Sequence, residues 1–417
     1  MDLFFFSGNI PPSKSLMNRA LIIQQFNGSF QWEEFSEALD VLNLKNALAD
    51  FASGKTKLYC GDGGTTFRFL SVFLSKYPGR YEISIDEALK KRPHLGLEEF
   101  FNQVRVKFFW SEDHLVIESD GWKANSVHLI SEQTSQIASA IILCLWKLPN
   151  AFELSVSEDI FLYGYFQMTL DFCKSCGLNY DEAQDAEGFK KIKVAKEQAP
   201  KSQMTKIEPD ISSCFPLAVL GALKQPVHIK NFPTSSLQPD FQFIDFFKSI
   251  KVAFDLSSEG LKVFPSRNLK ALSADLNHCP DLFPVMCVFA SFCQGVTTLS
   301  GLKRLAYKES NRLTETIRLL QLHDVSVELG HDQVVIYGKE IKVKSEELKN
   351  TTNSDVIFDS ASDHRMAMAA MIFQIMGSKI QISNKLVLNK SFPEFAVLVR
   401  PLLPMVLKPA IDGSLKE

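Results

Sequence analysis

The chain contains six long apolar runs, and each run follows a short cluster of polar residues or glycines. Apolar residues occupy nearly every helical position in these runs, so the helices they predict are hydrophobic on all sides and must be buried. The runs recur about every 50 to 85 residues, which is the size of a βαβ unit. The predicted helices begin near Lys14, Thr65, Thr134, Ile211, Asp281 and Asp363.

Shorter β-like runs lie between the predicted helices and complete an α/β pattern. They include residues 3–6, 104–110, 115–118 and 334–337. The polar stretch 182–206 lacks apolar periodicity, so we expect it to carry the chain from one domain to another. A second crossing is expected at Pro11 and Pro12. The domains expected from these crossings are 1–12 together with 209–417, and 13–208.

The polar clusters at the helix starts carry groups that bind anions. Ser13 is placed to cap the first helix, Lys14 begins it, and Ser15 and Arg19 share one of its faces. Amides at a helix N-terminus carry partial positive charge, so anions bind there. Six such starts predict that the N-termini of the buried helices converge on one place, as they would at a cleft between two three-helix halves. The alternative is that the clusters are ordinary helix caps.

The overall composition disfavours several classes of protein. The chain is 46% hydrophobic and 22% charged, with a formal net charge of -3, so nothing in it attracts nucleic acid or an acidic membrane surface. No apolar run reaches the ~18 residues that a membrane span needs. The apolar residues 3–6 lack the basic segment of a signal peptide. We expect a cytoplasmic protein that acts as a monomer.

The eight cysteines fall mostly inside apolar runs, which favours reduced thiols in a protein core. Cys173 and Cys176 form a CxxC pair. No second pair of cysteines or histidines lies at zinc spacing, so we predict no metal site.

A glycine-rich turn, residues 61–64, leads into the helix near Thr65, with Arg68 on its first turn. Such a turn suits a phosphate or a carboxylate. It lacks both the P-loop ending and the dinucleotide-binding spacing. Residues 54–56, Gly-Lys-Thr, resemble a P-loop ending, but Ala49 stands where its first glycine belongs. ATP binding is therefore not expected.

Two charged clusters lie further along the chain. Lys308 and Arg312 are four residues apart with Glu309 between them, and this pattern alone indicates a solvated helix face. His364 and Arg365 head a very apolar helix. Charged residues at the head of a buried helix must face a cleft or a partner.

Asp281 is the acidic residue at the head of another buried helix. Partly apolar surroundings would raise its pKa and suit it to act as a general base, although a plain helix cap would need no such role. Together the clusters hold many cations and few acids, which fits a substrate with several negative charges and one or two proton transfers. The cations are Lys14, Arg19, Arg68, Arg92, Lys308, Arg312, Arg365 and Lys390.

These clusters match the motifs of a known family, in the family's order and over nearly the whole chain. The matching residues are Pro12-Ser13-Lys14-Ser15, Asn18-Arg19-Ala20-Leu21, Gly64-Thr65 with Arg68, Arg92-Pro93, Ser135-Gln136, Asp281, Lys308-Glu309-Ser310 with Arg312, Asp363-His364-Arg365-Met366-Ala367-Met368 and Lys390-Ser391-Phe392-Pro393. The chain thereby resembles the enolpyruvylshikimate-phosphate synthases, or 3-phosphoshikimate 1-carboxyvinyltransferases.

The resemblance implies a fold and a reaction. The fold is two similar domains, each of three βαβαββ units, with buried parallel helices and a ligand cleft between the domains. The reaction transfers the carboxyvinyl group of phosphoenolpyruvate to the 5-hydroxyl of shikimate 3-phosphate and releases phosphate. It passes through a tetrahedral intermediate and uses no metal and no organic cofactor.

The resemblance also implies roles for individual residues. Those around phosphoenolpyruvate would be Lys14, Gly64, Arg92, Gln136, Arg312, Arg365 and Lys390. Those around shikimate 3-phosphate would be Ser15, Arg19, Thr134, Ser135, Gln136, Tyr165, Asp281 and Lys308. Asp281 would be the base for the 5-hydroxyl and Glu309 the proton donor to the methylene carbon, with Lys14 and His364 assisting.

The sequence departs from the family pattern in places. Asp62 stands where an asparagine is usual, Leu162 replaces a serine, Asn311 replaces a common aspartate, and residues 40–60 look trimmed by part of a β unit. These departures imply weaker substrate binding and keep open a catalytically weakened sugar-phosphate-binding homologue. A second alternative is a UDP-N-acetylglucosamine enolpyruvyl transferase. It is disfavoured because the members of that family carry Lys-Asn where this chain has Lys14-Ser15, and they carry a loop cysteine where residues 86–92 have none.

Overall fold

The computed structural model describes residues 4–26, 31–92, 94–112, 114–130, 134–201, 204–338 and 356–404. The chain forms two compact units, each with its own hydrophobic core. Pro12–Ile207 make up one, which we call the inserted unit, and Met1–Pro11 with Glu208–Glu417 make up the other, the split unit. The crossings predicted near residues 12 and 208 lie one residue from these boundaries.

The helices account for most of the buried apolar residues. In chain order they are α1 (Lys14–Gln24), α2 (Leu39–Ala52), α3 (Gly64–Ser75), α4 (Glu87–Lys90), α5 (Leu95–Val104), α6 (Gln136–Leu143), α7 (Glu158–Phe161), α8 (Gly164–Ser175), α9 (Ile211–Leu223), α10 (Phe243–Ser249), α11 (Phe283–Ser291), α12 (Arg312–Gln321), α13 (His364–Ile375) and α14 (Phe395–Val399). Short 3-10 turns include Pro239–Gln242, Pro280–Leu282, Leu305–Tyr307, Leu386–Lys390 and Arg400–Leu402.

The strands are short. They are β1 (Phe6–Gly8), β2 (Gln31–Trp32), β3 (Lys57–Tyr59), β4 (Gly79–Ser84), β5 (Lys107–Ser111), β6 (His114–Ser119), β7 (Ser126–Leu129), β8 (Phe152–Val156), β9 (Tyr180–Gln184), β10 (Lys190–Val194), β11 (Met204–Thr205), β12 (Val227–Ile229), β13 (Ala253–Ser257), β14 (Gly260–Phe264), β15 (Ser273–Asp275), β16 (Gly295–Ser300), β17 (Ser326–Leu329), β18 (Gln333–Gly338), β19 (Ile357–Phe358) and β20 (Gln381–Ile382).

In the described residues, each unit has two four-stranded sheets and a parallel pair. The sheets of the inserted unit have the orders β3-β4-β6-β5 and β7-β8-β10-β9, beside the pair β2-β11. Those of the split unit have the orders β1-β12-β14-β13 and β15-β16-β18-β17, beside β19-β20. In all four sheets the first two strands are parallel and the other two form an antiparallel hairpin. Each sheet, with its helices, is therefore a βαβαββ unit.

The prediction of six buried helices is confirmed. They are α1, α3 and α6 in the inserted unit and α9, α11 and α13 in the split unit. Every residue of α13 is buried, as is nearly every residue of α3 and α9. Three of the six are capped by side chains that accept from the first turn, those of Ser13, Asp210 and Asp363.

Some sequence expectations are wrong. The stretch 182–206 is not a structureless crossing, because it contains the end of β9 and all of β10, which complete a sheet of the inserted unit. The first strand is Phe6–Gly8 rather than residues 3–6, part of which lies outside the described residues. Strand β5 begins three residues later than predicted, because α5 continues to Val104.

Two further observations concern local structure. Residues 39–60, all of them described, pass from α2 directly into β3 without a hairpin, as a trimmed β unit would. Among the helices in the described ranges, none has both the length and the apolar character needed to cross a bilayer.

Candidate active site

In the inserted unit, an ion pair joins the starts of α1 and α2. Nζ of Lys14 lies 2.9 Å from Oδ2 of Asp40, and the two side chains are only 11% and 5% exposed. The α3 residue Thr66 donates from its hydroxyl to the Asp40 carbonyl oxygen at 2.7 Å. Asp40 therefore holds the starts of three helices together.

Gly64 is the place where two guanidinium groups approach the backbone. A methyl group at this position would lie 2.6 Å from Nη1 of Arg68 and 2.7 Å from Nη1 of Arg92. Real side chains do not tolerate such distances, so glycine is required for both arginines to lie against the first turn of α3. Two positive charges are thereby concentrated at a helix N-terminus, where an anion binds well.

Gln136 joins the start of α6 to the start of α3. Its Oε1 accepts from Nη1 of Arg68 at 2.5 Å, and its Nε2 donates to the hydroxyl of Thr65 at 3.0 Å. Its own backbone N–H donates to the hydroxyl of Thr134 at 3.2 Å, and Ser135 beside it is buried. The starts of α1, α3 and α6 thus converge within the inserted unit.

Arg19 is buried, and each of its nitrogens donates to a protein oxygen. Nε contacts the Thr169 hydroxyl at 2.8 Å, Nη1 the Ser15 carbonyl at 2.7 Å and Nη2 the Tyr165 carbonyl at 3.1 Å. Burial lowers the pKa of Arg19 to about 10, so it remains a cation at neutral pH. These contacts tie α1 to α8 and fix the half-buried residues Ser15 and Tyr165.

In the split unit, the carboxylate of Asp281 is surrounded by three cations. Its Oδ1 lies 2.6 Å from Nη1 of Arg312 and 3.2 Å from Nζ of Lys308. Its Oδ2 lies 2.7 Å from Nη2 of Arg365. Asp281 belongs to the 3-10 turn before α11, so it is not a plain cap of that helix. These contacts join the starts of α11, α12 and α13.

Arg312 is fully buried and contacts two further carboxylates. Its Nε lies 2.7 Å from Oδ2 of Asp363, and its Nη2 lies 2.5 Å from Oε2 of Glu309. Asp363 also accepts from the hydroxyl of Ser310 at 3.1 Å and from the Arg365 backbone N–H at 2.9 Å. Arg312 is therefore the cation on which the acids of this cluster converge.

The start of α9 reaches the same cluster through Ser212. Its hydroxyl accepts from Nη2 of Arg365 at 2.9 Å and donates to Oδ1 of Asp210 at 2.5 Å. The remaining predicted residues of this unit, His364 and Lys390, are also buried.

The pKa of Asp281 is shifted in the direction opposite to that expected from the sequence. Burial alone raises it, but Arg365, Lys308 and Arg312 together outweigh burial and hold it well below 3.8. The expectation of a raised pKa was wrong because the three cations come from distant segments. Asp281 is an ionised carboxylate throughout the neutral range.

The sequence 308–312 does not form a solvated helix face. The side chains of Lys308 and Glu309 are 18% and 17% exposed, and Lys308 precedes the helix that Arg312 begins. Burial lowers the pKa of Lys308, although Asp281 beside it acts in the opposite sense. The expectation failed because this segment packs against Asp281 and Asp363.

The two cysteines of the CxxC pair lie in the core of the inserted unit. Cys173 and Cys176 are buried thiols, and burial raises the pKa of the Cys173 thiol well above its ordinary value. Across the part of the chain that the structure describes, no three His, Cys, Asp or Glu side chains are grouped as metal ligands.

Sequence reasoning left Asp40 and Ser212 out of the predicted site residues. Asp40 could have been found, because it lies on the same face of α2 as the buried Leu44, Ala47 and Leu48, where a carboxylate needs a partner. Ser212 belongs, with Asp210, to the polar cluster at the start of α9, a position able to bind a ligand, but it is not among the family motifs. Of the departures from the family pattern, Leu162 is 51% exposed, beyond the end of α7, and Asp62 lies in the turn before α3.

Two units of βαβαββ sheets, with cations gathered at the starts of buried helices, define an enolpyruvyl transferase fold. The model of the family described as EPSP synthase (3-phosphoshikimate 1-carboxyvinyltransferase) matches residues 8–398, and the chain belongs to this family. It is therefore an enzyme of the shikimate pathway, which transfers the carboxyvinyl group of phosphoenolpyruvate to shikimate 3-phosphate.

Similar proteins cover most of the chain. A 3-phosphoshikimate 1-carboxyvinyltransferase of Dehalococcoides mccartyi is 27% identical, over 83% of this chain and 78% of its own length. One of Clostridium botulinum is 25% identical, over 93% and 92%. In fold, the chain is similar to the EPSP synthase of Acinetobacter baumannii, with a TM-score of 0.69, 20% identity and 96% coverage of each chain. None of these matches favours either alternative reading of the sequence.

Proposed function

We propose that the side-chain clusters of the two units carry the substrates and the proton transfers of this reaction. The arrangement of three cations around the single carboxylate of Asp281 carries the proposal. It supplies an ionised base together with cations that suit anionic substrates.

Seven residues are assigned to phosphoenolpyruvate, and each offers a cation, a side-chain amide or, at Gly64, the backbone N–H of a helix start. Its phosphate and carboxylate need several donors, and guanidinium groups offer paired ones. The close approach of Arg68 and Arg92 to Gly64 supports this assignment in the inserted unit. The residues are Lys14, Gly64, Arg92 and Gln136 of the inserted unit and Arg312, Arg365 and Lys390 of the split unit.

Eight residues are assigned to shikimate 3-phosphate. Most are hydroxyls or amides near the starts of α1, α6 and α8, which suit a phosphorylated polyol. Arg19 contributes by holding Ser15 and Tyr165 in place as well as by its charge. The residues are Ser15, Arg19, Thr134, Ser135, Gln136, Tyr165, Asp281 and Lys308.

The bond changes require two proton-transfer groups. The 5-hydroxyl oxygen bonds to C2 of phosphoenolpyruvate while its proton passes to Asp281, and the methylene carbon takes a proton from Glu309, which enters this step as the carboxylic acid. The resulting adduct returns a methyl proton to Glu309, and phosphate leaves with the proton held by Asp281. Lys14 and His364 assist by stabilising the charge that develops on the adduct.

The low pKa of Asp281 makes it a weak base until substrate arrives. Anionic substrates compete for Arg365 and Arg312, and each cation drawn away from Asp281 raises its pKa. Substrate binding would therefore strengthen the base at the moment it is needed.

Phosphate release on mixing the protein with both substrates tests the proposal. We expect Asp281→Ala to lower kcat by ~10²-fold to 10⁴-fold, the usual effect of removing a general acid or base. The control is Asp245→Ala, which removes an exposed carboxylate paired with Lys248 in the same unit. Absence of phosphate release by the parent protein would overturn the proposal, and an unchanged kcat in Asp281→Ala would remove Asp281 from the chemistry.

The remaining proposals concern the whole chain. We propose a monomer in the cytoplasm that binds no nucleic acid or membrane, in which the chain crosses from one domain to the other near residues 12 and 208. Eight buried cysteines that form no disulfide support a reducing compartment. Light scattering at working concentration tests the monomer, and a mass of two chains would contradict it.

A further inference from the structure

The chain passes between the two units twice, and the second passage returns it to the split unit at residues 208–211. Gln238 has a buried amide that holds this second passage in place. It is 4% exposed. Its Nε2 donates to the Pro209 carbonyl at 2.8 Å and to Oε2 of Glu208 at 3.1 Å. Its Oε1 accepts from the Ile211 backbone N–H at 3.2 Å. Both ends of the amide are therefore used on residues 208–211.

The loop that contains Gln238, residues 231–238, also holds the first passage, in which the chain leaves the split unit at residues 10–11. Asn231 accepts from the Ile10 backbone N–H at 3.0 Å and donates to the Ile10 carbonyl at 2.8 Å. The two passages also contact each other, because Asp210 N–H donates to the Pro11 carbonyl at 3.0 Å. Residues 231–238 thus hold both passages at one place in the split unit.

The fastened segment continues directly into the active-site cluster. Asp210 caps α9 and accepts from the hydroxyl of Ser212. That hydroxyl accepts from Nη2 of Arg365, the nitrogen that also donates to Asp281. A displacement of the first turn of α9 would therefore move the acceptor that orients the Arg365 guanidinium.

We propose that Gln238 is a positioning residue for Arg365, acting through Ser212. Gln238 contacts no reacting group. It fixes the first turn of α9, so that Ser212 and Asp281 together hold one nitrogen of Arg365. The proposal rests on the proposed function, which places Arg365 against phosphoenolpyruvate. Small misplacements of a binding group cost large factors in rate, up to ~10²-fold for about 1 Å.

The test compares Gln238→Met with Gln374→Met by steady-state kinetics. Methionine keeps the length of the side chain and removes its hydrogen bonds. Gln374 is the matched control, because it is 3% exposed, bonds the Ile380 carbonyl and lies at the far end of α13 from Arg365. For Gln238→Met we expect kcat about tenfold lower and KM for phosphoenolpyruvate about tenfold higher. KM for shikimate 3-phosphate should stay within about twofold, and Gln374→Met should change none of the three.

A double variant tests the route through Ser212. If Gln238 acts through that hydroxyl, Gln238→Met combined with Ser212→Ala should be no slower than Ser212→Ala alone. Multiplying effects, or a folded Gln238→Met with parental kcat and KM, would overturn the proposal.

Gln238→Glu keeps the inference testable if Gln238→Met does not fold. When the new carboxyl group at position 238 is ionised, it has lost the amide donors and repels the carboxylate of Glu208. Protonated, it regains one donor, so its kcat relative to the parent should rise as the pH falls from 8 to 6, because two adjacent carboxylates raise each other's pKa. A ratio that stays flat would contradict the proposal. Arg365→Met distinguishes a failure of the proposed function from a failure of this inference. If Arg365→Met keeps full activity, the role proposed for Arg365 is wrong. If Arg365→Met loses activity while Gln238→Met has parental kinetics, only the positioning role of Gln238 is wrong.

Discussion

The two units hold their buried cations in different ways. In the split unit, Arg312 contacts three carboxylates, and one of these contacts three cations in return. In the inserted unit, Lys14 pairs with Asp40, but Arg68 donates to the amide oxygen of Gln136, and Arg19 donates to a hydroxyl and two carbonyls. These contacts balance the charge in the cluster of the split unit and leave positive charge in excess in the inserted unit.

The difference separates two tasks. Cations with neutral partners attract an anion directly, whereas a balanced network must give up its internal contacts before it can bind one. We therefore expect the inserted unit to contribute mainly affinity. The split unit should contribute the proton transfer, and its charges should matter more for stability.

The largest expected effect is the loss of stability in Arg312→Met. This change leaves the buried carboxylate of Asp363 and the partly buried ones of Asp281 and Glu309 without their shared cation, and should lower the free energy of unfolding by about 3 to 5 kcal/mol. Arg68→Met removes a buried guanidinium from a neutral acceptor and should cost only about 1 to 2 kcal/mol. Urea unfolding of the two variants measures both values. Equal losses would show that the two clusters do not differ in this way.

A change in binding is expected for Gly64→Ala. The added methyl group pushes against the guanidinium ends of Arg68 and Arg92, which can move at little cost in stability. Their displacement should raise KM for phosphoenolpyruvate about tenfold, equivalent to about 1.4 kcal/mol. Gly330→Ala is the matched control, since its methyl would meet the flexible side chain of Gln333 at 2.8 Å. If both variants keep parental KM values, the arginines at Gly64 do not bind this substrate.

The smallest expected effect is a pH dependence of stability that comes from Asp281 and is confined to acid pH. The folded pKa of Asp281 lies well below its ordinary value of 3.8. A depressed carboxyl pKa contributes stability that is present above the unfolded pKa and is lost as the pH falls through the folded pKa. The difference in unfolding free energy between the parent and Asp281→Asn should therefore be constant from pH 8 to 5 and shrink below pH ~4. A difference that changes between pH 5 and 8 would indicate a raised pKa instead.

The helix starts were predictable because both of their signals are local. Apolar runs such as the one after Asp363 indicate burial, and the polar residue before each run indicates a cap. The strands β9 and β10 were missed because β9 is an exposed edge strand and β10, which pairs with β8 and β9, is rich in lysine. Only Ile192 and Val194 of β10 are buried, and the other three residues of the strand are lysines, so the segment has the composition of a loop.

The site was predictable in its membership but not in its electrostatics. The family motifs identify Asp281 and Arg312, yet the sequence around Asp281 shows only apolar neighbours. Its three cations follow 27, 31 and 84 residues later in the chain. A pKa set by such contacts depends on tertiary structure, so local composition gave the wrong direction.

The pairing of β1 with β12 has a consequence for the order in which the chain folds during synthesis. The two strands are separated by 221 residues, because the whole inserted unit lies between them. The ribosome delivers the inserted unit, with its own core, while β1 still has no neighbouring strand. Strand β1 therefore joins its sheet only after the whole inserted unit has been made, and until then it must avoid pairing with other exposed strand edges.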